Sequence, residues 1–366
     1  MSSESGPNHP RNKLSVAETA QLVALALPLP AILPWTLVTS PFSSKFSRSR
    51  NWKIVLITKA ILWLVSNSNR KQCRAIFGET RDSYDAFLKS QKWDPVVDDI
   101  GEDARLLWIG PKVTERVILH LHGGAFLFGV TPSAPAFWNH VRDNLAKRGK
   151  KAGIALLNYT FVPDGEFPTQ LKQAIRALQY LLDSGVKPEN IQLVGDSAGG
   201  NLIHQVLSHI LHPVEGVPKL SLSAPLAGAY MMSPWMTLRD DPILHGNDGQ
   251  DDMVYASTLA YWGGEVMKNC PSSSVPYVEA NSAPEGWLEG VDKAVKRILI
   301  SIGENEVLRD ACFKYGKTLQ KHHKDCSLFL DEGGVHVEPY LPFLVGVQDL
   351  GTVTPHLIDW MDQNFV

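Results

Sequence analysis

The run Gly195-Asp196-Ser197-Ala198-Gly199-Gly200 places a serine in a G-x-S-x-G pattern, directly after the apolar stretch Ile191 to Val194 and at the head of a helical stretch. A serine there sits on a tight, strained turn at the end of a strand, and the flanking glycines remove side chains that would collide. Its hydroxyl is a nucleophile for a carbonyl once a base takes the proton. Upstream, His122-Gly123-Gly124-Ala125-Phe126 follows the apolar stretch Val117 to Leu121. Bare backbone N–H groups in such a loop point at a carbonyl oxygen that becomes negative during attack. The expected oxyanion donors are Gly123, Gly124 and the amide of Ala198, at the start of a helix whose dipole favours negative charge. His122, placed before the glycines, is expected to anchor the loop.

The chemistry then needs a base and an acid, and in the fold that carries a G-x-S-x-G elbow the chain order is Ser, acid, His. His336 lies in Glu332-Gly333-Gly334-Val335-His336, just after the last expected strand, and is the expected base. His322 and His323 fall in a charged helix end where solvation is expected, and His356 starts the final helix. For the acid, the stretch Arg297 to Ile302 runs into Gly303-Glu304-Asn305-Glu306-Val307-Leu308-Arg309-Asp310. Glu306 is the expected acid, Glu304 its reserve, and Asp310 falls about one helical turn too far on. The acid orients the imidazole and stabilises its protonated form.

At these residues, over about residues 100 to 365, the chain resembles the hormone-sensitive-lipase-like branch of the α/β-hydrolases, with fungal esterases and steryl acetyl hydrolases among the relatives. The family's H-G-G-G loop stands here as His122 to Ala125, its D-Y-R-L-A-P-E segment as Asn158 to Asp164, and its G-D-S-A-G-G elbow as Gly195 to Gly200. Its D-P-L-x-D motif stands as Glu306 to Asp310, which implies Glu306 as acid. Ser233-Pro234-Trp235 resembles the segment before the family's cap insertion. Ala125 replaces the third glycine, Glu306 replaces an aspartate, and Asn158 and Thr160 replace Asp and Arg; these departures bear on substrate preference. Ala125, Phe126 and Trp235 are the candidates for the substrate pocket. The resemblance implies an α/β-hydrolase fold with a helical cap, and a cap or membrane anchor built from the N-terminal segment.

The elements that must position these groups follow from periodicity. Beyond residue 100, short β-rich apolar runs alternate with longer helical stretches, the pattern of an α/β domain whose mostly parallel central sheet has helices on both faces. Strands are expected at Val117 to Leu121, Ile154 to Tyr159, Ile191 to Val194, Ala227 to Met232, Arg297 to Ile302 and Ser327 to Leu330. Helices are expected at Ala134 to Arg148, Thr169 to Ser184, Ala198 to Leu211, Leu308 to His322 and Thr354 to Asn364. Residues 236–290, rich in Pro, Gly, Asp and Asn around a helix at Met253 to Trp262, read as an insertion forming part of a lid. The expected division is an N-terminal segment, 1–100, and a catalytic domain, 101–366.

In that first segment, Thr19 to Ser44 carries no charge, which is long enough for a bilayer, but Pro28, Pro30, Pro34 and Pro41 argue against one straight membrane-spanning helix. Glu18 and Gln21 also make it a poor signal peptide, so it is expected to stay on the mature protein. Trp52 to Val65 sets Ile54, Ile57, Ile61, Leu62 and Val65 on one face of an amphipathic helix, either a cap over the site or a helix on a membrane surface. Residues 1 to 78 hold ten Lys or Arg (among them Arg11, Lys45 and Arg48) against Glu4 and Glu18, a surplus that suits residues 15–75 to an anionic membrane surface.

The net charge of -3 and the lack of a basic stripe argue against nucleic acid. No H-E-x-x-H or phosphate loop occurs, so no metal or cofactor is expected. The scattered cysteines, Cys73, Cys270, Cys312 and Cys326, suit a reducing, intracellular compartment, with an internal membrane such as the endoplasmic reticulum as a candidate site. The expected reaction is hydrolysis of a carboxylic ester through an acyl-enzyme, removing a short acyl group such as acetyl from a bulky apolar or sterol-like alcohol. The alternatives are a lyase or cyclase of secondary metabolism using the same triad, and a silent small-molecule receptor, which in this fold lacks the catalytic His.

Overall fold

A computed structural model describes residues 13–39, 42, 50–249 and 252–365. An eight-stranded sheet with the order β1-β2-β4-β3-β5-β6-β7-β8 forms its centre. The strands are β1 Val96–Gly101, β2 Ala104–Trp108, β3 Val117–Leu121, β4 Gly153–Asn158, β5 Ile191–Asp196, β6 Gly228–Met232, β7 Ile298–Gly303 and β8 Cys326–Asp331. The first two pair antiparallel with each other, and β2 pairs antiparallel with β4; every other pairing is parallel. Every residue of β3 and β5 is buried. That is why these strands read as continuous apolar runs rather than as an alternation.

The larger helices are α1 Val16–Ala26, α2 Leu29–Thr39, α3 Trp52–Ser66, α4 Arg70–Phe77, α5 Thr80–Gln91, α6 Ala134–Lys147, α7 Thr169–Asp183, α8 Ala198–Leu211, α9 Ala256–Met267, α10 Arg309–His322 and α11 Val353–Asn364. Two cores flank the sheet. Leu171 and Leu178 of α7, Leu202 and Ile203 of α8 and Leu319 of α10 fill one side. Phe137, Trp138 and Val141 of α6 with Leu357 and Trp360 of α11 fill the other.

All six expected strands and the five helices of the sheet layers occur, with ends shifted by one or two residues. The hairpin β1–β2 was not anticipated, because Asp98, Asp99 and Arg105 interrupt its apolar pattern at the edge of the sheet. It also corrects the domain boundary. The sheet begins at Val96 rather than at residue 101, and a cut at 100 would split β1.

The N-terminal helices pack on one another and on the sheet domain. A turn at Leu27 and Pro28 separates α1 from α2, and Trp63 Nε1 of α3 donates to Leu25 O at 2.8 Å. Ile54, Val55, Leu62 and Val65 of α3 are buried, so this helix is packed on the protein. Of the basic residues in this segment, Arg11, Lys45 and Arg48 lie outside the described residues, as do Ser40, Pro41, Ser43 and Ser44 of the uncharged run. The insertion between β6 and β7 carries α9, which starts at Ala256 rather than at Met253.

Candidate active site

Parallel pairing of β3 with β5 sets Leu121 opposite Gly195, so the loops that leave the two strands rise side by side. Ser197 follows β5 at φ 51°, in the left-handed region. Its N–H donates to Met232 O at 2.9 Å, and its carbonyl accepts from Trp235 N at 2.9 Å. A Cβ on Gly199 would lie 1.8 Å from Leu121 O, so only glycine lets the elbow lie this close to β3. Backbone strain gathers around the serine: Ala125 (φ 53°), Phe126 (φ 60°), Ser233 (φ 47°) and Val337 (φ 45°) are also left-handed. Each such residue costs on the order of 1–3 kcal/mol and persists only where its surroundings impose it.

His336 Nδ1 lies 3.4 Å from Glu306 Oε2, and the glutamate is fully buried. Burial alone would lower the imidazole pKa, but the hydrogen bond and charge of Glu306, with the charges of Asp252 and Asp196, hold it above the ordinary histidine value. Glu304, the reserve acid, instead accepts from Gly333 N at 2.6 Å, and Asp310 pairs with Arg309. Ser197 and His336 line the same cavity.

The oxyanion loop departs from expectation at one position. Gly123 N donates to Asp196 Oδ2 at 3.1 Å, so its hydrogen is turned to the elbow instead of the cavity. Gly124 and Ala125 line the cavity beside Ser197, and Ala198 opens α8. Among the described residues, no protein acceptor meets the amides of Gly124, Ala125 or Ala198.

His122 is structural. It is buried, with Nε2 2.7 Å from Thr80 Oγ1, and its ring stacks on Tyr159 at 4.3 Å. Desolvation lowers its pKa to about 3, so it stays neutral. The segment before α5 embraces the whole loop: Gly129 N donates to Gly78 O at 2.9 Å, and Phe77 stacks on Phe128. Tyr159 OH donates to His122 O at 2.9 Å, and Asp164 pairs with Arg74 of α4. The Asn158 to Asp164 segment thus fastens the oxyanion loop to the cap.

The cavity measures about 290 Å³. Ile57, Ile61 and Leu64 of α3, Trp262 of α9, and Met253 and Leu344 supply an apolar wall. Helix α3 thus packs over the cavity that holds Ser197. Two pocket candidates need correction. Phe126 packs behind the wall against Tyr159, because its left-handed backbone turns the side chain into the core. Trp235 is fully buried below the elbow. Ala125 does line the cavity. His323, expected in solvent, is buried and caps the end of α10, with Nε2 2.9 Å from Val295 O.

Sequence reasoning missed a polar hub beneath the site. Asp196 Oδ1 accepts from Tyr340 OH at 3.0 Å and lies 3.0 Å from His120 Nε2, while Oδ2 takes Gly123 N. Desolvation would raise the Asp196 pKa, but His120 and the other partners hold it below the usual carboxylate value. The signal was its place inside the G-D-S motif. Among the described residues, no group of three or more His, Cys, Asp or Glu is placed to hold a metal ion.

A family model described as alpha/beta hydrolase fold matches residues 118–339, more than half of the chain. The chain belongs to the α/β-hydrolase family. Among relatives of this α/β-hydrolase, a Schizosaccharomyces pombe protein provisionally named a steryl acetyl hydrolase is 28% identical, covering 63% of this chain and 61% of its own. An acetyl-hydrolase of Streptomyces hygroscopicus is 27% identical over 56% and 62% of the two chains. The α/β-hydrolase thus spans about three fifths of the length of the curated relatives it matches. A crystal structure of an esterase from the bacterial hormone-sensitive lipase family superposes with a TM-score of 0.65 at 19% identity, covering 87% of this chain and 100% of that one. That likeness establishes the fold.

Proposed function

We propose that this α/β-hydrolase is a serine esterase. His336 takes the proton of Ser197 as Oγ attacks an ester carbonyl, Glu306 steadies the imidazolium, and the amides of Gly124, Ala125 and Ala198 receive the oxyanion. His336 then protonates the departing alcohol, and a water activated by the same base releases the acid. The single observation that carries this reading is the convergence of Ser197, a Glu306-paired His336 and unengaged loop amides on one apolar cavity.

The substrate class follows from the wall. A lining of Ile57, Ile61, Leu64, Phe128 and Trp262 suits a bulky apolar alcohol and offers little to a polar one. The names of the relatives, acetyl-hydrolase and steryl acetyl hydrolase, favour a short acyl group. A membrane surface suits such a substrate. Val16–Thr39 is long and apolar enough to cross a bilayer by length and composition and is unburied throughout. Packed as α1 and α2 against α3, it is read here as a surface-seeking element.

The test is release of p-nitrophenol from acetate and longer acyl esters by the wild type and by Ser197→Ala, with a phosphonate as active-site label. Turnover and labelling by the wild type alone are expected. A wild type that labels at Ser197 but cleaves no ester would overturn hydrolysis, and one that does neither would remove the catalytic reading.

A further inference from the structure

Asp252 stands within the insertion, just before α9, buried, with both oxygens turned to the catalytic loops. Oδ1 accepts from His336 N at 2.9 Å and from Met253 N at 2.8 Å, and Oδ2 accepts from Val307 N at 2.9 Å. Five residues earlier, Asn247 Nδ2 donates to the carbonyls of Glu304 at 3.0 Å and Glu306 at 2.8 Å. The lid therefore grips the acid loop on both sides of Glu306 and the base loop at His336 itself.

All three hydrogen-bond partners of the Asp252 carboxylate are N–H donors. Burial pushes the Asp252 carboxyl pKa up, while these three N–H donors and the neighbouring imidazolium favour the ionised form. A backbone clamp of neutral acceptors would hold the loops without charge. A carboxylate does more, because it lies beside an imidazole that becomes positive during the reaction.

We propose that Asp252 is a positioning residue of the reaction: it clamps the loop of His336 to the lid, and its negative charge joins that of Glu306 in steadying the imidazolium. This rests on the triad reading above. The charged and titratable groups around His336 are Glu306 from the loop after β7, Asp252 from the insertion, and Asp196 from the elbow. Asp196 is engaged by His120 and Tyr340, Cys312 of α10 lies 3.9 Å from Glu306, and Glu338 on the base's own loop pairs with Arg50. Among the described residues, Glu306 and Asp252 are the two with a direct hydrogen bond to His336, one to the ring and one to the backbone.

The experiment titrates His336 by NMR in protein labelled at histidine Cε1, the resonance being assigned by its loss in His336→Gln. Asp252→Asn is expected to lower the His336 pKa by about half a unit or more. The acidic limb of kcat/KM for p-nitrophenyl acetate should move down with it, and turnover at neutral pH should fall about tenfold or more. Asn247→Ala, which loosens the same grip without removing charge, should lower turnover and leave the titration unmoved. Asp252→Ser is the second neutral variant. An unshifted His336 in either folded Asp252 variant overturns the proposal, and failure of both to fold assigns Asp252 to folding and overturns it too. A wild type that cleaves no ester removes the triad reading, whereas the titration still decides whether Asp252 acts on His336.

Discussion

In the proposed mechanism, the glutamate beside His336 is the residue on which the base depends. Glu306→Gln keeps the shape of the side chain but leaves the imidazole without a carboxylate at Nδ1, and kcat should fall roughly 10³- to 10⁴-fold in a steady-state ester assay. The same variant makes a pH prediction with a definite sign. A base must be neutral, and Glu306 holds the His336 pKa above the ordinary histidine value, so the acidic limb of kcat/KM in the wild type should lie above that of an ordinary imidazole and move down in Glu306→Gln. That Ser197, Glu306 and His336 come together was legible in sequence because each follows a strand in a glycine-rich context. Asp252 was not. Its meaning comes from three amides contributed by residues up to 84 positions away, and no local pattern marks an aspartate that will meet them. Gly123 was misread for a related reason, since the direction of its N–H depends on the Asp196 carboxylate 73 residues on.

Helix α3 is the element that walls the cavity beside the serine. It buries Ile54, Val55, Leu62 and Val65 and turns Ile57, Ile61 and Leu64 to the cavity. Ile61→Trp should fill much of the space left for the alcohol. The expected outcome is a drop of at least about tenfold in kcat/KM for esters of bulky alcohols, with p-nitrophenyl acetate within about threefold of wild type, measured side by side. Equal losses on both substrates would mean that α3 does not bound the alcohol site. The amphipathic pattern of α3 was readable, but a cap and a lipid surface ask for the same stripe. Only the neighbours of that stripe tell them apart. The β1–β2 hairpin was invisible for the opposite reason: an edge hairpin rich in Asp and Arg satisfies its backbone without a clear apolar period.

At the scale of the whole molecule, the apolar surface is concentrated on the first helices. Leu27 is 73% exposed, Trp35 69% and Val38 64%, on a protein whose other large apolar side chains are mostly packed in two cores. Isolated exposed residues need no explanation, but a clustered set on one helical run does. Co-sedimentation with vesicles of mixed neutral and anionic lipid should recover the wild type, and Val23→Asp with Leu27→Asp should weaken partitioning by about tenfold or more while leaving hydrolysis of soluble esters intact. Equal partitioning of both proteins would sink the surface reading. The layered α/β architecture was legible from alternation alone, whereas the joining of cap to core was not, because it runs through Gly78, Thr80 and Arg74, residues with no pattern of their own. That join has an evolutionary consequence. An N-terminal segment whose Thr80, at the head of α5, supplies the hydroxyl that holds His122 cannot be exchanged between relatives as a free module. Any recombination that brings in a new N-terminal segment must bring its own partner for that histidine, or the inherited oxyanion loop arrives unsupported.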